Sequence, residues 1–186
     1  MTKVKKLIPI TLLIAIVAGY LVYINNPTVK KKSFIKKYTA TTLAEKCRGD
    51  LVDGEAKSTK ARGCYVEYFE YVMDLKGPKV AVDTLMKFAE DSKGLNGECH
   101  SVGHLLGKYA WKTQRFESYK GDLTACAFSY GHGILQQSSK EVSKEKLKEK
   151  ISGICVYTKD VPGCLHGMGH ALRDLDYPLK DSVAIC

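Results

Sequence analysis

The chain has 186 residues, with 29 Lys and Arg against 20 Asp and Glu, and seven cysteines. That length allows one core or two small ones, and 45% hydrophobic with 26% charged residues excludes both a disordered chain and a polytopic membrane protein. The formal charge of +9 is unevenly placed, because residues 1–37 hold eight Lys and no acid, which leaves 21 basic against 20 acidic residues in the rest. A nearly neutral body lacks the clustered cations that phosphate backbones need, so nucleic acid is not an expected partner.

Residues 1–27 read as an N-terminal membrane anchor. Leu7 to Ile24 runs eighteen residues without a charge, with Tyr20 and Tyr23 where an interfacial belt would lie. A cleaved signal peptide is the rival, but the run is longer than a usual apolar region of that kind. Ile16 or Val17 also stands where a small residue is preferred before a cleavage site near Ala18 and Gly19. Residues 28–37 form a basic stalk carrying Lys30, Lys31, Lys32, Lys36 and Lys37, suited to anionic lipid headgroups. Counted naively, these lysines would hold the body in the cytoplasm. The short basic head before the apolar run and the seven cysteines point the other way, so the expectation is a single-pass protein of the cell membrane with its body outside the cytoplasm.

In residues 38–186 apolar side chains recur at three and four spacings, and breakers fall between the stretches. Expected helices are Phe34–Cys47, Ala61–Leu75, Lys79–Ser92, Glu98–Trp111, Leu123–Gln137, Lys144–Ile154, Gly163–Leu175 and one from Leu179. Pro78 and Pro162 sit at helix starts, Asp160 and Ser143 are cap candidates, and Gly94, Gly97 and Gly121 lie at or between helix ends. Short connections favour antiparallel neighbours, so the fold class is all-α, a repeat-like bundle of helical hairpins behind a transmembrane helix.

An internal repeat supports this architecture. Cys99–Leu106, Cys126–Ile134 and Cys164–Leu172 each contain a Gly-His pair, an aliphatic residue two places after the His and a Cys five or six places before it. All five histidines lie within these segments. Cys64–Val72 aligns on its Cys as a fourth copy, with Glu70 where the others have His. The cysteines follow the same rhythm, so Cys47 with Cys64, Cys99 with Cys126 and Cys155 with Cys164 would each staple a helix end to the following helix start, although spacing does not fix connectivity. Cys186 is the last residue, and Ala184-Ile185-Cys186 resembles Gly153-Ile154-Cys155. The expectation is a body truncated from a longer repeat protein, or a Cys186 that pairs with a second copy or another protein.

Residues four apart on a helix share a face, so His100 with His104, and His166 with His170, each offer two imidazoles to one ion. His132 adds a fifth imidazole and Glu70 a carboxylate. Such a set suits Zn, Fe, Cu or Mn, and ligand type alone does not choose among them. Haem is less favoured, since no Cys-x-x-Cys-His attachment sequence occurs. With open coordination positions the site would support metal-dependent oxidation or hydrolysis. Several other chemistries are set aside. Ser101 and Gly167 occupy the place of a zinc peptidase's general-base Glu, and there is no nucleophile elbow, phosphate loop or dinucleotide fingerprint. The alternative is a non-enzymatic, disulfide-stapled helical scaffold in which the His and Gly residues serve packing.

Overall fold

The computed structural model describes residues 10–48, 55–141, 146, 161–178 and 180. Every regular element among them is helical. The chain divides into two compact units, residues 1–37 and 38–186.

The first unit holds α1 (Ile10–Asn25) and α2 (Pro27–Lys37). In α1 the side chains of Ile14, Ile16, Val17, Tyr20, Leu21, Val22, Tyr23 and Ile24 are all exposed. Among the described residues no helix is long and apolar enough to cross a membrane. The described part of the Leu7–Ile24 run lies within this 16-residue helix, which at 1.5 Å per residue rises about 24 Å against a hydrocarbon core of about 30 Å. Residues 1–9 lie outside the described set.

The second unit begins with α3 (Ala40–Arg48) and α4 (Glu55–Lys76), joined by the Cys47–Cys64 disulfide with Cα atoms 5.5 Å apart. The expected helix from Phe34 is broken at residues 38–39. There Thr39 and Thr42 exchange backbone-to-hydroxyl hydrogen bonds of 2.8 and 3.3 Å, a reciprocal cap that starts α3 afresh. In α5 (Pro78–Asp91) Pro78 takes the first turn, where a missing N–H costs nothing. It follows Gly77, whose φ of 85° lets α4 turn directly into α5.

The next helix, α6 (Lys93–Gln114), runs longer than expected, because Ser92 caps it by accepting from the Leu95 N–H at 3.5 Å. Gly94 therefore falls in the first turn of α6, at a helix end, whereas Gly97 lies inside the helix. A 3-10 turn, η1 (Arg115–Lys120), follows. The expected helix from Leu123 begins only at α7 (Ser129–Ser139), because Cys126, Ala127 and Phe128 have φ of 52°, 56° and 65°. A right-handed helix cannot pass through three such residues. The last described helix is α8 (Val161–Asp174). It closes with Tyr177 N–H on the Leu172 carbonyl and Asp176 N–H on the Arg173 carbonyl, both at 3.0 Å, with Asp176 left-handed, the Schellman arrangement. The expected helices Lys144–Ile154 and from Leu179, and the caps Ser143 and Asp160, lie outside the described residues.

Within this unit α6 packs against α4, α5 and, most extensively, α7, which in turn packs against α8. Leu43, Phe69, Val82, Leu85, Leu95, Val102 and Leu106 are fully buried across α3 to α6. A second core joins α7 to α8 through Leu135, Met168, Ala171 and Leu172, with Leu165, Leu175 and Tyr177 against it. The two cores place α7 between α6 and α8, and that arrangement brings the three Gly-His segments together.

Candidate metal centre

The histidines come from three helices. His100 and His104 stand on α6, His132 on α7, and His166 and His170 on α8. Glycine lets α6 and α7 approach until backbone meets backbone. A Cβ on Gly107 would lie 3.0 Å from the Gly133 Cα, and one on Gly133 would lie 2.9 Å from the Lys108 nitrogen and would strike the His104 carbonyl. Gly167 of α8 leaves room in the same way for the His132 ring. The glycines that precede the histidines divide in role. A side chain on Gly103 would meet Ser129 and one on Gly131 the Leu123 carbonyl, but one on Gly169 would meet nothing within 4 Å.

His104, His132 and His170 each offer a ring nitrogen, and the three nitrogens lie within 4.8 Å of one another. Their ring centroids are separated by 5.4 Å (His104–His132), 5.4 Å (His104–His170) and 5.8 Å (His132–His170). Three imidazoles on one tetrahedral ion, with metal–nitrogen bonds of about 2.0–2.1 Å, have centroids about 5.2 Å apart. The centroid triangle is therefore about 0.2–0.6 Å wider than a shared ion requires, and the nitrogens, within 4.8 Å of one another, would draw in on binding to about 3.3–3.4 Å. His166 is adjacent, 5.2 Å from His132 and 4.8 Å from His170, and His100 lies 4.8 Å from His104 and 6.4 Å from His132. Both of these outer histidines are exposed, whereas His132 is only 3% exposed.

Hydrogen bonds to oxygen fix which nitrogen carries the proton. His132 donates from Nε2 to the Gly163 carbonyl at 2.9 Å, since a carbonyl can only accept. Its Nδ1 is then a bare lone pair, buried and without a hydrogen-bond partner among the described residues. Leaving such an atom buried and unpaired is unfavourable, and an ion bound at Nδ1 would satisfy it. His100 donates from Nδ1 to the Cys126 carbonyl at 3.1 Å, and His104 from Nδ1 to Gln136 Oε1 at 3.3 Å, which leaves Nε2 as the lone pair of each. The His166 and His170 Nε2 atoms face each other at 3.1 Å, so either one donates to the other or both lone pairs converge on a cation.

Burial disfavours the charged imidazole, and neighbouring imidazoles add to it. His104 is pushed down to about 4, chiefly by burial and then by His100 and His132. Burial likewise holds His132 down at about 4 even though its bond to Gly163 opposes the shift. His170 is lowered by burial and by His166. Neutral imidazole is the form that binds metal.

Glu70, on α4, is not in the group formed by His104, His132 and His170; its charge acts on Tyr71 and Tyr109, raising both. Asp174 pairs with Lys108 at 3.7 Å, which ties α8 to α6 one turn beyond the His170–His104 contact. Both the Cys47–Cys64 and Cys99–Cys126 disulfides are present. Cys155, the Cys164 side chain and Cys186 lie outside the described residues. Gln136 was not anticipated as a supporting residue. It stands four residues after His132 on α7, so the spacing that paired the histidines marked its face. Comparison with protein families, curated proteins and solved structures finds no match to this chain.

Proposed function

We propose that this is a membrane-anchored extracytoplasmic protein whose body binds one transition-metal ion through His104, His132 and His170, with His100 and His166 at the rim. The observation that carries the reading is the buried lone pair of His132 beside two imidazoles from two other helices, at centroid spacings about 0.2–0.6 Å wider than a shared ion gives. An all-nitrogen donor set from neutral imidazoles suits Zn, Cu or Fe, with Mn less well served for want of oxygen ligands. Three ligands leave a coordination position for water or substrate, the pattern of catalytic sites, so metal-dependent hydrolysis or oxidation is the activity in view. The repeated Gly-His segments support a repeat-like bundle of helical hairpins as the scaffold. The exposed apolar surface of α1 and the lysines of α2 support a membrane-facing first unit.

The rival reading makes the histidines packing residues of an interaction scaffold, and the tight Gly107–Gly133 crossing favours it. Elemental mass spectrometry on the full chain, purified from an oxidising compartment without an affinity His tag, separates the two. The metal reading expects about one ion per chain, lost in the His104→Gln/His170→Gln double variant while helix content is kept. A chain that folds, takes up no ion on reconstitution and is indifferent to that double substitution supports the scaffold.

A further inference from the structure

Three consecutive residues with side chains, Cys126, Ala127 and Phe128, occupy the left-handed region just before α7. A residue with a Cβ is unfavourable in that region, where the Cβ crowds the following carbonyl, so the turn persists only because its surroundings hold it. Five attachments hold it. The Cys99–Cys126 disulfide ties the turn to α6, with Cα atoms 5.3 Å apart. The Cys126 carbonyl accepts from His100 Nδ1, and the Phe128 N–H donates to the Thr124 carbonyl at 2.9 Å. The Phe128 ring lies over the His132 ring, with centroids 6.5 Å apart and planes 25° apart, and the Phe128 carbonyl accepts the His132 N–H at 2.9 Å. One short turn thus contacts a histidine from each of two helices and is pinned one residue away from His100.

We infer that the Cys126–Phe128 turn is the positioning device of the histidine site, and that the Cys99–Cys126 disulfide, by holding that turn, couples metal affinity to the thiol redox state. The inference rests on the metal reading above. A dithiol reductant would cleave the S–S bond, supplying two electrons and two protons; Cys99 and Cys126 become thiols and the reductant closes its own disulfide. Without the bond the turn is free to leave the left-handed region. His100 then loses its fixed tautomer partner, and His132 the ring and carbonyl that set its orientation. Loss of groups that orient ligating histidines typically lowers metal affinity about 10- to 100-fold.

The test is competitive titration of Zn against a chromophoric chelator on the full chain, comparing wild type, Cys99→Ser/Cys126→Ser and Cys47→Ser/Cys64→Ser. The coupling predicts Zn binding about 10- to 100-fold weaker in the first pair and unchanged in the second, whose disulfide joins α3 to α4 away from the histidines. Equal affinity in all three proteins overturns the inference, as does an equal loss in both variants, which would reflect general destabilisation. Should Cys99→Ser/Cys126→Ser not fold, Phe128→Ala keeps the disulfide and removes only the ring over His132; its affinity must still fall, and wild-type affinity overturns the inference. Absence of Zn binding by wild type overturns the metal reading itself, and the inference with it.

Discussion

His132 shows how much chemistry one residue's surroundings decide. Its position four residues before Gln136 and one turn into α7 buries it, the Gly163 carbonyl takes its only proton, and the remaining lone pair faces no donor among the described residues. The same burial gives a pH signature. His104 and His132 sit near 4 in the folded protein against an ordinary 6.5. Between those values the unfolded chain takes up protons that the folded chain refuses, so the metal-free protein loses stability as pH falls from about 6.5 towards 4 and keeps it above. Urea midpoints measured across that window should fall with pH in wild type and fall less in His132→Gln. A midpoint that is flat, or that rises on acidification, contradicts the burial of neutral imidazoles.

Among elements, the α6–α7 crossing sets the site, and glycine sets the crossing. At Gly107 and Gly133 the atoms that a side chain would strike are backbone, which cannot rotate away. Gly107→Ala or Gly133→Ala should each cost about 1–3 kcal/mol in chemical denaturation. Gly97 of α6 and Gly169 of α8 face open space. Alanine at either should instead stabilise its helix by about 0.5–1 kcal/mol. This divides the sequence's glycines in a way the repeat alone did not reveal. The Gly-His pairing marked where helices meet, and a side chain on Gly103 would strike Ser129, but the closest backbone-to-backbone approaches fall at Gly107 and Gly133, each of which follows a histidine on its own helix. Gly97 looks like a helix end by composition, yet the Ser92 cap starts α6 upstream of it and helix packing carries it through. The left-handed turn at residues 126–128 was not legible because none of the three is a glycine; a disulfide and two imidazoles hold it, and those are contacts between distant parts of the chain.

Across the whole molecule, the all-helical class followed from apolar spacing and the Cys47–Cys64 and Cys99–Cys126 pairs from the rhythm of the cysteines, although Cys64 and Cys99 lie inside α4 and α6 and not at helix starts. The histidines could be grouped from sequence because every one of them falls in a repeated segment, and repeated segments on packed helices present equivalent faces to a common centre. Their ranking could not. That His104, His132 and His170 form the inner triangle, with His100 and His166 exposed, depends on α7 lying between α6 and α8. Glu70 matched the repeat by alignment, but its helix packs on α5 and α6, outside the α6–α7–α8 group that carries the histidines. X-ray absorption at the metal edge, on the full chain loaded with Zn, addresses the central claim most directly. A site built from these imidazoles predicts one ion with at least three nitrogen neighbours at about 2.0–2.1 Å and the multiple scattering typical of imidazole rings, with no sulfur at about 2.3 Å. A sulfur shell at that distance, or no bound ion in the folded protein, would contradict it.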